Sequence, residues 1–205
     1  MKVTAIKQQV KRTDRYSIFV DGKYVFSLSD TALLDSKLVN GQELTGAQVK
    51  RFKQVSEDDK LYNNALAYAT LRPRSSWEME QYLRRKKCAP ALEKKTLDKL
   101  IGIGLIDDDG FARSWVANRR LLKPVSRRKL LQELRAKRVL DAAAKQALDE
   151  DETDEQAVLA ELITRKRKQT RYKDDRKLMQ YLAGQGFNYG DIKDALSGLS
   201  GLSES

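Results

Sequence analysis

The chain contains no histidine and a single cysteine. That removes the commonest general base, the commonest metal ligand and any intramolecular disulfide. Four other features could do chemistry. Cys88 sits just past a basic helix end, in Lys86-Lys87-Cys88-Ala89-Pro90, and reads as a small, partly buried thiol rather than a nucleophile. Gly102-Ile103-Gly104 follows a helical pattern and lacks a third glycine, so it reads as a helix stop and not a phosphate cradle. Asp107-Asp108-Asp109 reads as a helix cap with first-turn acids, which the helix dipole favours, rather than as a metal site. The acidic run from Asp149 to Glu155 reads as the solvated start of another helix, able to neutralise a neighbouring basic face. No P-loop, HExxH or GxSxG occurs. No enzyme, cofactor or metal is therefore expected.

The basic residues point elsewhere. Net charge is +11 and the isoelectric point about 9.6, which favours nucleic acid or an acidic protein surface as partner. From Arg113 to Arg138, ten Lys and Arg stand against one acid, Glu133. The cations expected to face a partner are Arg119, Arg120 and Lys123, then Arg127, Arg128 and Lys129, then Arg135 and Lys137, together with Arg84, Arg85 and Lys86 upstream. A further run, Arg165-Lys166-Arg167-Lys168, lies downstream. Arg127, Arg128 and Lys129 fall where a helix begins, and cations in a first turn oppose the helix dipole by ~0.3–1 kcal/mol each. An anion bound there would relieve the conflict, so the triplet predicts an anionic partner. Trp77, Tyr82, Trp115 and Tyr181 fall at helical spacing and are expected in the core, so stacking of single-stranded bases is not supported.

The elements that must carry these residues follow from periodicity. Val3–Ile6, an alternating run over Tyr16–Val20, the Asp21-Gly22 dipeptide and Tyr24–Leu28 predict three strands and a hairpin. Ser29 or Asp30 can cap a short helix over Thr31–Lys37, and Asn40-Gly41 makes a turn. Thr45-Gly46-Ala47-Gln48 has capping-box spacing, and from there the pattern is helical. Asp58-Asp59 is read as the cap of a further helix, and Ser75-Ser76-Trp77-Glu78 as a second capping box.

The pattern then recurs. Arg72-Pro73-Arg74-Ser75 returns 51 residues later as Lys123-Pro124-Val125-Ser126, and Met79, Leu83, Arg84, Lys86 and Leu97 return as Leu130, Leu134, Arg135, Lys137 and Leu148. A third copy, 48 residues further on, keeps Arg171, Leu178, Leu182 and Leu196 but has Asp174 in the serine position and no proline. Units of this length cannot bury their apolar faces alone and stack on neighbours. The expected fold is mainly α: a β-rich module over 1–45, a connecting helix over 46–57, and three-helix repeats over 58–104, 107–150 and 153–198 in an elongated array. A frayed tail is expected from Ser197, with 199–205 flexible. No apolar run approaches the roughly 20 residues of a membrane helix. The N-terminus lacks the apolar core of a signal peptide, so a cytoplasmic protein is expected.

Gly104-Leu105-Ile106-Asp107-Asp108, followed by Phe111-Ala112, Trp115-Val116 and Arg119, resembles the signature of the bacterial RecX regulatory proteins. Arg72-Pro73-Arg74-Ser75 with Leu83-Arg84-Arg85-Lys86 is similar to that family's first repeat. The resemblance covers 58–150 well and 153–198 loosely. It implies a curved solenoid of three-helix repeats, without enzymatic activity, that lies along the RecA–DNA filament and modulates, usually inhibits, ATP hydrolysis, strand exchange and co-protease activity. A monomer with at most weak direct DNA contact is expected. Two other readings remain open: a double-stranded DNA-binding protein whose repeats act as helix-turn-helix readers, and a scaffold for another acidic protein.

Overall fold

The computed structural model describes residues 1–201, and the side chains of 1–198. Ten helices and one small antiparallel sheet make up the described chain, so the mainly α expectation holds. The chain divides into two compact units: Met1–Arg72 with Tyr82–Leu100, and Pro73–Gln81 with the chain from Ile101 onward.

In the first unit, β1 (Val3–Gln8), β2 (Arg15–Val20) and β3 (Lys23–Ser29) pair in sequence order. Asp21 and Gly22 both have positive φ, 48° and 80°, as a two-residue hairpin turn of right-twisting strands requires. Alternation puts Val3, Ile18, Val20, Phe26 and Leu28 on one buried face. They form a core with Leu38, Leu44 and Val49, and Phe26 stacks on Phe52 at 5.9 Å. Ser29 caps α1 (Asp30–Ser36), and the Thr45–Gln48 capping box opens α2.

The structure departs from the expected boundary here. Helix α2 runs unbroken over Gly46–Thr70, through Asp58-Asp59. The carboxylate of Asp59 instead accepts from the Ser29 backbone N–H at 3.0 Å and the Ser29 hydroxyl at 2.5 Å. It also lies 3.0 Å from the guanidinium of Arg15, a residue only 3% exposed. Removing one partner of such a buried pair costs about 3–5 kcal/mol, so Asp59 fixes the sheet to the helix. Acids are ambiguous in sequence because capping and ion pairing draw on the same residue types.

Two helices follow, α3 (Ser76–Arg85) and α4 (Pro90–Gly102). Tyr82, expected in the core, is half-buried and stacks face-to-face on Tyr68 at 4.1 Å.

The second unit contains α5 (Asp108–Leu122), α6 (Arg127–Ala136) and α7 (Asp141–Asp149), whose apolar stripes meet in one core that includes Phe111, Val116, Leu130, Leu134 and Leu148. Next come α8 (Glu155–Arg167), a 3₁₀ turn over Thr170–Tyr172, α9 (Asp175–Gly184) and α10 (Tyr189–Gly201). Their core includes Leu159, Leu162, Leu178, Leu182 and Ile192. The 3₁₀ turn takes the place of the proline turn of the earlier copies. Helix α10 continues past Ser197, where fraying is expected, and residues 202–205 lie outside the described residues.

The repeat is exact in its backbone chemistry. Ser75, Ser126 and Asp174 each accept from the N–H three residues on, those of Glu78, Lys129 and Lys177. At the other end, Lys87, Arg138 and Gly186 all adopt positive φ, 57°, 58° and 95°. The next amide in each copy turns back to the same carbonyl: Cys88 to Leu83, Val139 to Leu134 and Phe187 to Leu182. This is the left-handed stop that satisfies the last carbonyls of a helix.

Candidate partner interface

Within the second unit, the starts of α3 and α6 meet the ends of α6 and α9 by one plan, used twice. The hydroxyl of Ser75, at the start of α3, donates to the Lys137 carbonyl at the end of α6 at 3.1 Å. The backbone N–H of Ser126, at the start of α6, donates to the Gln185 carbonyl at the end of α9 at 3.1 Å. The first helical residue of each incoming repeat also supplies a carboxylate. Asp108 accepts from the Ser76 N–H at 2.8 Å, and Glu155 from the Arg127 N–H at 2.9 Å. Asp107 caps its own helix by accepting from the Asp109 N–H, as expected of that triplet, while Asp108 caps the neighbour.

These junctions decide which cations remain available. Arg119 donates to Glu133 through Nε at 2.8 Å and through a second, shorter contact from Nη2. Arg120 is bound to Asp151 at 2.8 Å and to the Val125 carbonyl at 2.6 Å, with only 10% of either charged side chain exposed. Arg127 contacts the Leu148 carbonyl and the Asp149 carboxylate. Arg135 grips Asp141 with two bonds of 2.8 and 2.7 Å, which hold the Asp141 carboxyl below its ordinary range. Lys137 donates to Glu78 at 2.5 Å and lies 5.1 Å over the Trp115 ring. In the first unit, Arg84 pairs with Glu93 at 3.2 Å, Lys86 sits 5.6 Å over the Tyr82 ring, and Arg85 is exposed.

The predicted cations therefore differ in their surroundings. Arg119, Arg120, Arg127 and Lys137 are ion-paired within the chain, and the acidic linker from Asp149 to Glu155 is the counter-charge for two of them. At the start of α6 a carboxylate of the chain itself, that of Glu155, accepts from the Arg127 backbone N–H. Lys123 and Arg128 are exposed, Lys129 is half-buried, and none of the three makes an ion pair among the described residues. Arg138, exposed at its left-handed position, joins them. Periodicity missed Arg138, although its alignment with Lys87 and Gly186 marks it as the outermost residue of the helix stop.

The aromatic side chains are also more mixed with charge than spacing suggested. Lys166 lies 4.6 Å over Tyr181 and 5.4 Å over Tyr172. Lys99 lies 5.1 Å over Tyr62. Each pair folds a cation's stem over an apolar ring and keeps its charge near the surface.

The surroundings of Cys88 do not activate it as a nucleophile. Burial pushes the Cys88 thiol up, and the nearby carboxylates of Glu93 and Asp58 push it further, the reverse of a reactive thiolate. No group of His, Cys, Asp or Glu among the described residues is arranged to hold a metal ion, and no described helix is long and apolar enough to cross a membrane.

Fold and surface together define a class: a three-helix-repeat protein with an N-terminal β-module. Comparison with known families narrows it. The RecX N-terminal domain matches residues 1–45, and the first, second and third RecX three-helix domains match 62–100, 107–148 and 153–196. The regulatory protein RecX of Bacillus subtilis (strain 168) is 30% identical over 199 residues, covering 95% of this chain and 75% of the relative. That of Levilactobacillus brevis is 31% identical over 191 residues, covering 91% and 71%. A crystal structure of regulatory protein RecX superposes with a TM-score of 0.72 at 28% identity, covering 94% of this chain and 98% of the other. RecX from Lactobacillus salivarius gives 0.58 at 26% identity over 70% of this chain and 96% of the other. The chain belongs to the RecX family of regulatory proteins.

Proposed function

We propose that this protein binds the filament that the RecA recombinase forms on DNA and lowers its ATP hydrolysis, strand-exchange and co-protease activities during DNA repair and the SOS response. On this reading it works in the cytoplasm as a monomer, without catalysis and without a cofactor. Family membership supports the regulatory role. The observation that carries the partner class is the basic surface left over once the fold has used its own ion pairs. Lys123, Arg128, Lys129 and Arg138 sit within one 16-residue stretch with a single acid, Glu133, and that acid is held by Arg119 and the Trp115 indole N–H. A polyanionic filament offers several such contacts at once, and multiple weak contacts sum through avidity.

DNA-dependent ATP hydrolysis by the host recombinase tests this. The protein added below one copy per recombinase subunit is expected to inhibit, and Lys123→Glu with Arg128→Glu to weaken inhibition with helicity unchanged. Full inhibition by that double variant would remove these residues from the interface. No effect of the unaltered protein would remove the reading itself.

A duplex reader using each repeat's second helix is less well supported. Readers of that kind present the helix N-terminus to base edges. Here the first turns of α3 and α6 are occupied by Asp108 and Glu155. Sequence-selective binding to naked duplex would restore that reading.

A further inference from the structure

At its C-terminal end α5 presents two large apolar side chains that no core uses. Leu121 is 79% exposed and Leu122 69%. One repeat earlier, 51 residues upstream, the position of Leu122 is held by Leu71, itself 77% exposed. An adjacent pair in the middle repeat with a counterpart in the first is a feature of the repeat, not a stray surface leucine.

The surroundings restrict what could cover the pair. On the preceding positions, Arg119 and Arg120 are consumed by Glu133 and Asp151. Lys123 follows immediately, exposed and without an ion pair among the described residues. No acid occurs from Leu121 to Gln132. The corner is thus apolar at its centre and cationic at its edge.

We infer that Leu121 and Leu122 are the apolar anchor of the partner contact, entering an apolar pocket with an acidic rim on a protein subunit. This rests on the proposed recombinase reading and adds that the contact is made to protein, with the leucines at its centre and the cations at its rim. Phosphate backbones supply charge but no pocket for two leucines. A second copy meeting the same corner by two-fold symmetry would set Lys123 against Lys123, and like charges oppose that contact. An acidic-rimmed protein pocket satisfies both parts of the corner.

The test uses the full chain carrying Leu121→Ala and Leu122→Ala. Both side chains are mostly solvated, so circular dichroism and thermal unfolding are expected to match the unaltered protein. Affinity is measured for recombinase filaments on single-stranded DNA and for naked duplex, each at two salt concentrations. The variant is expected to bind filaments more weakly by roughly 100-fold or more, the loss expected when two leucines fail to become buried. Its duplex binding is expected to be unchanged. The loss is expected to persist at high salt, whereas that of Lys123→Ala shrinks with screening.

Unchanged filament affinity in the leucine variant, while the unaltered protein binds, overturns the inference alone. Failure of the unaltered protein to bind filaments overturns the recombinase reading and the inference with it. An equal loss toward duplex would assign the corner to nucleic acid. Concentration-dependent self-association in sedimentation, abolished by the variant, would assign it to a second copy. Either result overturns the protein pocket.

Discussion

At the first junction of the second unit, where the start of α3 meets the end of α6, Glu78 is buried and holds Lys137 across the contact at 2.5 Å. At the equivalent junction between the second and third domains, the position of Glu78 is taken by Lys129, and the position facing it is Gln185 beside Gly186. Here the approach is made by backbone. A Cβ built on Gly186 would lie 2.2 Å from Ser126 Oγ and 2.8 Å from Lys129 Cβ. One plan thus closes in two ways, by an ion pair with room for side chains or by a bare backbone contact with the charge moved to the linker.

The difference explains the cations at the start of α6. A helix N-terminus needs its free N–H groups satisfied, but not by its own third residue. Ser126 and Glu155 do this from outside the first turn, so the third position of α6 can be a cation, Lys129, rather than an acid.

The substitution with the largest expected effect is Gly186→Ala. It adds a side chain where the second junction has no space and where φ is 95°. Chemical denaturation should show a loss of about 2–4 kcal/mol, whereas Arg138→Ala, at the equivalent stop, should change stability by less than about 0.5 kcal/mol.

Glu78→Ala probes the first junction and should cost about 1–3 kcal/mol, because it strips a half-buried ammonium of its partner. Lys129→Ala at the equivalent site should cost less than about 0.5 kcal/mol. Equal losses would show that the two junctions are not chemically distinct.

The linker of the second junction should respond to acid. Burial alone would raise the Asp151 carboxyl, but hydrogen bonds from Thr153 and Arg120 overcome it and hold the group below its ordinary value. A carboxyl depressed in the folded state binds protons more readily when unfolded, so its stabilisation is full above about pH 4 and lost as pH falls further. Arg120→Ala should therefore cost about 1–3 kcal/mol at pH 7, and denaturation midpoints of variant and unaltered protein should converge below about pH 4.

The smallest expected effect is a gain. Arg138→Gly relieves a left-handed residue with a side chain, φ 58°, and should stabilise the second domain by up to about 1 kcal/mol. A loss instead would show that the Arg138 side chain is held by the fold.

Much of this molecule was legible before any coordinate. The Asp21-Gly22 hairpin, the Thr45 box and the recurring serine caps all form as read, because each rests on contacts within a few residues. The continuity of α2 was not legible, since Asp58-Asp59 carries a cap's residue types while Asp59 serves an ion pair with Arg15, far back in the chain. Leu121 and Leu122 were likewise hidden. A leucine reads as core by type, and only the placed neighbours show that it faces solvent.

The basic cluster divides along the same line. By itself the sequence determined that the chain is a helical repeat with an excess of positive charge in its middle, since composition and period are properties of residues in order. Only the tertiary structure decided which charges are free. Whether an arginine meets an external partner or Asp149, Asp151 or Glu133 depends on distances between segments 14 to 31 residues apart, and an ion pair exists only once folding has brought both groups within a few ångströms.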